Sequence, residues 1–296
     1  MRRGPSIEDL VLVRTLPVDG DPFAELTAAT RLEDVGKGRR GAVLTRPSAP
    51  DGAVPLVRTT TRYAAPAQRF RPVHERLARE VRELTAAPLA FDNALVETYT
   101  NAYTKMGAHS DQALDLAEGS LIAVFSCYRH PDTTAPRTLV FETKESKESK
   151  QPTDADDGRD HGRPRGAGDR PDEGRDEGRA EAPGQVPAGR LEIPLAHGSV
   201  VAFSVAANRR LRHRIVLTAP GRPDEEWLGV TLRTSKTHLR FRDGRPHLPE
   251  GVPLTLADED RSVESYRLRR RENTERDFVH PPVTHTLSPS DLLPPT

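Results

Sequence analysis

Short apolar runs punctuated by turn residues dominate the middle of the chain. "NALVETYT" (93–100), "SLIAVFSCY" (120–128) and "RTLVFETK" (137–144) are rich in β-branched and aromatic residues and are bounded by turn formers. The pattern returns in "RLEIPL", "SVVAFSV", "HRIVLTA", "WLGVTLR" and "THLRFR" between residues 190 and 242. About eight short strands joined by tight turns predict a sandwich or closed barrel, and the lack of helical spacers argues against a parallel α/β sheet.

One amphipathic helix precedes these strands. In "RPVHERLAREVRELTA" (71–86) Val73, Leu77, Val81 and Leu84 share a face, Pro72 suits a first turn and Pro88 follows the end. The segment is therefore expected to lie across one sheet. Residues 1–56 alternate weak apolar stretches with Gly and Pro and read as an N-terminal extension to a domain spanning 57–245. Residues 246–296 read as a C-terminal tail, a charged helix in "DEDRSVESYRLRRRENTERD" followed by the Pro-rich "PPVTHTLSPSDLLPPT".

Residues 145–189 break the strand pattern. Val186 is their one large aliphatic residue among Asp, Glu, Arg, Gly and Pro, too little apolar surface to offset the entropy of ordering. Strand-like segments resume directly afterwards, so this is read as a disordered insert within the domain. The overall 35% hydrophobic and 30% charged content agrees with one ordered domain plus tails.

Charge and cysteine usage exclude several classes. Lys+Arg and Asp+Glu are both 44, so no global basic field drives non-specific nucleic-acid binding, although a local basic groove stays open. Cys127 is the only cysteine, which rules out an intramolecular disulfide and a cysteine-based zinc site; within "SLIAVFSCY" it reads as a buried filler. The N-terminus lacks the apolar centre of a signal peptide, and no run approaches the roughly 20 apolar residues of a membrane span. A soluble cytoplasmic protein without a membrane segment is expected.

Candidate chemistry sits in "MGAHSDQALDL" (106–116). On an extended segment His109 and Asp111, at i and i+2, point the same way and can grip one ion. His213, at the start of a strand-like run, is placed to face the mouth of a barrel; His197, His130 and His238 have weaker contexts. Two imidazoles and a carboxylate on one face of a metal is the arrangement of non-haem Fe(II) oxygenases. The same ligands with zinc and a hydrolytic water remain an alternative.

"ETYTNAYTKMGAHSD", a β-rich stretch, "NRRLRHRIVL" and "WLGVTLRTS" together resemble the AlkB-like branch of the 2-oxoglutarate and Fe(II)-dependent dioxygenases, over roughly residues 57–242. Tyr99 stands ten residues before His109, a spacing similar to that family's. The resemblance implies a double-stranded β-helix, that is, a jelly-roll, cupin-like barrel, mainly β with flanking helices. It implies iron on His109, Asp111 and His213, with 2-oxoglutarate and O2 as co-substrates and hydroxylation or N-demethylation as the reaction. Tyr99, Arg233 and Ser235 are the implied co-substrate contacts, "RTS" resembling an Arg-x-Ser pair. In an alternative alignment Arg233 is the second arginine of the family's last strand and Trp227 stands at the first.

Glu97, where the family has Asn, and Trp227 and Gly229 depart from the pattern. A non-catalytic β-barrel binding module derived from such an enzyme is the rival reading. Upstream, "VRTTTRYAAPAQRF" (57–70) occupies the place of the family's lid, and Arg58, Arg62, Tyr63, Arg69 and Phe70 could hold phosphate and stack a flipped base. An alkylated nucleobase is thus one substrate class among several.

Overall fold

The computed structural model describes residues 6–48, 51–104, 106–144, 189–217, 219 and 221–296; the expected insert at 145–189 lies outside them but for its last residue. The first part of the chain forms β1 (Val11–Thr15), α1 (Pro22–Ala29), β2 (Glu33–Gly36), β3 (Arg39–Thr45), β4 (Val54–Leu56), β5 (Gln68–Arg69), α2 (Pro72–Thr85) and β6 (Asn93–Thr100). Then come β7 (Leu121–Tyr128), β8 (Arg137–Thr143), β9 (Arg190–Leu195), β10 (Ser199–Ser204), α3 (Val205–Asn208), β11 (Leu211–Val216) and β12 (Glu226–Arg233). Helix α4 (Glu259–Thr274) lies near the C-terminus.

Two facing sheets share these strands. The larger runs β1-β10-β7-β12-β6-β3-β2 and the smaller β11-β8-β9, with His109 bridged in antiparallel fashion to His213 of β11. From β6 onward the chain therefore crosses repeatedly between the sheets: β6 large, His109 small, β7 large, β8 and β9 small, β10 large, β11 small, β12 large. That interleaving is a double-stranded β-helix, mainly β with flanking helices, as the strand pattern and the resemblance predict.

The large sheet is buried on both faces, which explains why its strands read as continuous apolar runs rather than strict alternation. Inward, Tyr99, Ile122, Tyr128, Phe203 and Trp227 pack against Phe141 and Ile193 of the small sheet. Outward, Val96, Phe125, Cys127, Val200 and Val230 pack under Phe23 and Leu26 of α1 and Leu77 and Val81 of α2. Helix α2 thus lies where its apolar stripe places it. Cys127 is a fully buried filler whose thiol pKa is pushed up by burial.

Three expectations are corrected. Residues 1–56 are not an appendage: β1 pairs with β10 and β3 with β6, extending the large sheet on both sides. "THLRFR" forms a strand, Thr237–Arg242, but outside the barrel, paired with β4 and with Arg245–His247. The eighth barrel position is instead filled by His109. The Pro-rich C-terminus packs on the domain: Ser290 N donates to Tyr63 O at 3.0 Å and Thr296 N to Ala67 O at 2.9 Å. Among the described residues no helix is long and apolar enough to cross a membrane.

One buried ion pair joins these additions to the barrel. Arg58 Nε and Nη2 donate to the two oxygens of Asp115 at 2.9 and 2.8 Å, and Nη1 donates to Val283 O and His285 O at 2.8 and 2.9 Å. Burial opposes ionisation of Asp115, but Arg58 outweighs it and holds the carboxyl below its ordinary pKa. With the folded pKa lowered, the pair's contribution is complete above the ordinary carboxylate range and is lost as pH falls below it. Arg58→Met should cost about 3–5 kcal/mol in urea unfolding at pH 7, because it strands a buried carboxylate. Adding Asp115→Leu should restore most of that loss, and the Arg58→Met deficit should shrink below about pH 4.

Candidate metal centre

The convergence of His109 and His213 begins in the backbone. His109 N donates to His213 O at 2.9 Å and His213 N to His109 O at 2.6 Å, so the two residues face each other as a hydrogen-bonded antiparallel pair. Their ring centroids lie 4.6 Å apart. Asp111 follows two residues on, with Oδ1 3.6 Å from His213 Nε2. One ligand atom from each of His109, Asp111 and His213 lies within 4.8 Å of the others.

Protonation states suit a cation. His109 Nδ1 is 2.8 Å from Gly107 O; a proton on Nδ1 makes that bond and leaves the Nε2 lone pair free. Burial lowers the pKa of His109 and, with His109 alongside, pushes His213 down to about 3, so both imidazoles are neutral at pH 7. Burial works against ionising Asp111, but protonated His213, the Arg233 guanidinium and protonated His109 outweigh it and hold its pKa below the usual value; with the imidazoles neutral at pH 7, Arg233 is the one of these that stays charged. Asp111 Oδ2 is buried without a hydrogen-bond donor among the described residues.

The inward side chains of β3, β6 and β12 form cross-strand rows beside this cluster. Arg39, Tyr99 and Trp227 make one row, Gly41, Glu97 and Gly229 the next, and Thr45, Asn93 and Arg233 the row nearest Asp111. Both glycines flank Glu97, and neither has space for a side chain. A Cβ at Gly41 would lie 2.8 Å from the Tyr63 hydroxyl, and one at Gly229 would lie 2.6 Å from the Trp227 ring. The vacated space lets Tyr63 Oη donate to Glu97 Oε1 at 3.0 Å, while Tyr99 Oη donates to Oε2 at 2.5 Å. Arg39 Nη1 stands 3.5 Å from Glu97. Burial first, and then the adjacent carboxylate, raise the pKa of both phenols, which stay neutral donors.

Arg233 is a buried guanidinium with few acceptors. Nη2 donates to Asn93 Oδ1 at 3.3 Å, Nη1 is 3.9 Å from Asp111 Oδ2, and Nε has no acceptor among the described residues. Burial lowers its pKa, yet the group stays charged at neutral pH. Ser235 does not join it. Strand β12 ends at Arg233, and Ser235 Oγ lies instead 2.6 Å from the backbone carbonyls of both Leu56 and Thr237, where its one proton is used.

Two spaces share His109, Asp111 and Arg233 in their walls. An inner one of about 80 Å³ reaches Thr231, Gly229 and Trp227; an outer one of about 430 Å³ is lined by Arg39, Thr61, Tyr103, Tyr266, Arg269 and Asn273. Trp227 stacks on Tyr99 with centroids 5.0 Å apart, and its buried Nε1 has no acceptor among the described residues. The expected lid is largely committed elsewhere. Arg58 is locked to Asp115, Tyr63 is buried against Glu97, and Phe70 packs at α2 beside His74, leaving Arg62 and Arg69 exposed and Thr59–Thr61 along the cavity.

Sequence reasoning missed Arg39, Asn208, Arg269 and Asn273. Arg39 and Arg269 lie outside the expected 57–245 span, as does Asn273, and isolated Asn residues carry no periodic signal.

No protein-family model matches the chain, and neither does any curated protein. Among solved structures, the non-heme alpha ketoglutarate dependent epimerase SnoN from nogalamycin biosynthesis is similar at 16% identity and TM-score 0.29, over 56% of this chain. The match spans 55% of the epimerase's own length. OsALKBH1 is similar at 12% identity and TM-score 0.33, over 69% of this chain and 100% of that one.

The Gly229–Trp227 contact gives a direct test of the inner wall. Gly229→Ala should cost about 1–3 kcal/mol, since a rigid indole must move to admit the methyl group. Trp227 is the only tryptophan, so urea unfolding followed by its emission reads both the stability and the displaced ring.

Proposed function

We propose that the chain is an AlkB-like, Fe(II)- and 2-oxoglutarate-dependent oxygenase that hydroxylates a C–H bond or removes an N-methyl group. One observation carries the reading: two neutral imidazoles and one ionised carboxylate converge at His109, Asp111 and His213, with Asp111 Oδ2 left without a donor. This donor set fits a divalent cation with positions open toward the cavity. Bound there, ferrous iron with 2-oxoglutarate and O2 supplies the oxidising equivalents.

The protein's own residues do the rest. Gly107 O fixes the His109 tautomer, and Arg233 offers an under-used guanidinium for a carboxylate beside the cluster. Tyr99, expected to contact the co-substrate, is committed to Glu97, so that seat differs from the family pattern. Recognition of the substrate falls to the outer cavity, where Arg39, Tyr103, Tyr266 and Arg269 combine cations with aromatic faces. A compact substrate fits this space, an isolated alkylated base included. The segment expected to grip a strand of nucleic acid keeps three of its five candidate residues inside the fold.

A second reading, a binding module that has lost catalysis, draws on the same departures, Glu97 at the Tyr99 hydroxyl and Trp227 in the inner space. Succinate formation separates the two. The wild type with Fe(II), O2 and 2-oxoglutarate should turn over slowly even without substrate, and His109→Ala should fall to background. Arg233→Gln should raise the 2-oxoglutarate requirement about tenfold or more, the loss of one charged hydrogen bond. Iron binding without succinate in the wild type favours the module.

A further inference from the structure

The turn carrying His109 and Asp111 is held from both sides by side chains that belong to neither ligand strand. Asn208, at the end of α3 and 1% exposed, bonds Asp111 twice: Asp111 N donates to Asn208 Oδ1 at 2.9 Å, and Asn208 Nδ2 donates to Asp111 O at 2.7 Å. From the other side comes α4. Ser110 N donates to Asn273 Oδ1 at 3.0 Å, and Ala113 N donates to Glu272 Oε1 at 2.7 Å. Ser110 Oγ adds a bond to Leu211 O at 2.7 Å.

The chemistry of an amide explains the residue type at 208. Asp111 presents both an N–H and a C=O to this side chain, and a carboxamide answers the two together with an acceptor and a donor. An aspartate there could accept but not donate, and would set a second negative charge against the Asp111 carbonyl. Asn208 also stands only a few residues before His213, so one side chain ties the Asp111 backbone to the segment that delivers the distal imidazole. Asn273 does the same between the ligand turn and the C-terminal helix. Neither amide is needed for barrel pairing, which β11, β8 and the His109 bridge already provide.

We propose that Asn208 and Asn273 are positioning residues of the metal site, and that the C-terminal helix α4 is thereby part of the metal-binding apparatus. The inference rests on the reading that His109, Asp111 and His213 bind a divalent cation. Metal–ligand distances tolerate only a few tenths of an ångström. Releasing the backbone of residues 110 and 111 therefore disperses the ligands even though every ligating side chain remains. Partners that orient ligands in this way typically contribute about 10–100-fold to metal affinity.

Co(II) titration of the metal-free full chain, followed by its visible absorption band, tests this. Asn273→Ala removes the acceptor of the Ser110 N–H beside the open cavity and should lower the melting temperature without metal only modestly, leaving a folded protein for the titration. It should weaken Co(II) binding about tenfold or more and alter the band. Asn208→Asp should do so at least as strongly. Val263→Ala, on the exposed side of the same helix, should bind Co(II) like the wild type. Wild-type affinity and an unchanged band in both asparagine variants overturn the proposal while leaving the metal site standing. A wild type that binds no Co(II) removes the metal reading, and this inference with it.

Discussion

The whole site depends on one pair of backbone hydrogen bonds, those between His109 and His213. Closing the barrel at this point and bringing two imidazoles together are the same event, because residues opposed in an antiparallel hydrogen-bonded pair lie about 5.5 Å apart with side chains on one face. The ligand cluster is therefore not an arrangement of free side chains on a surface. Its spacing is inherited from strand register, and Phe141 and Phe203, packed on the His213 ring with centroids 5.7 and 5.5 Å away, hold that ring in place. A one-residue slip of β11 would turn His213 to the opposite face and end the site.

The segments at the two ends of the chain act on this centre through particular side chains. The C-terminal segment pins the backbone of Tyr63, with Tyr63 N donating to Ser288 Oγ at 2.8 Å and Ser288 Oγ donating to Tyr63 O at 3.1 Å. The Tyr63 hydroxyl then reaches through the gap above Gly41 to Glu97. From the N-terminal side, β3 supplies both that glycine and Arg39. A wall of the cavity is thus made by residues far from the ligand motif in sequence, which explains why a barrel alone does not describe the site.

Much of this was legible in the amino-acid sequence, for identifiable reasons. Strands buried on both faces betray themselves as dense β-branched and aromatic runs, and α2 shows its stripe at Val73, Leu77 and Val81. The His-x-Asp motif is local, and His213 sits on a strand whose pattern is clear. By contrast, β1 is only five residues long and ends on Arg14 and Thr15, and β3 opens on Arg39, Arg40 and Gly41, so neither shows a long apolar run and their places in the sheet are set by tertiary contacts. Helix α4 was legible as a helix but not as a wall, since its few apolar residues give no stripe to say which face is covered. Ser235 was misplaced because alternation was carried past the end of β12. Glu97 was visible as a departure, but Tyr63, its phenol partner 34 residues away, was not.

Charge balance around the cluster gives the site its direction. Two carboxylates, Asp111 and Glu97, and two guanidiniums, Arg233 and Arg39, line one largely buried space. Each oppositely charged pair stands at 3.5–3.9 Å, too far apart for a strong charge-assisted bond. Glu97 is compensated by two phenols, and at 3.0 and 2.5 Å these take up both of its oxygens, which keeps it from competing for a cation at Asp111. Asp111 Oδ2 has no such donor among the described residues, so on the proposed reading it is the carboxylate left for a metal. A dication there would satisfy Asp111 and weaken its hold on Arg233, whose guanidinium would then need an anion of its own. Cation and anion would thus favour each other's binding through Asp111 and Arg233. The two carboxylates of this barrel interior are thus treated unequally, one saturated by tyrosines and one left bare beside an under-used guanidinium.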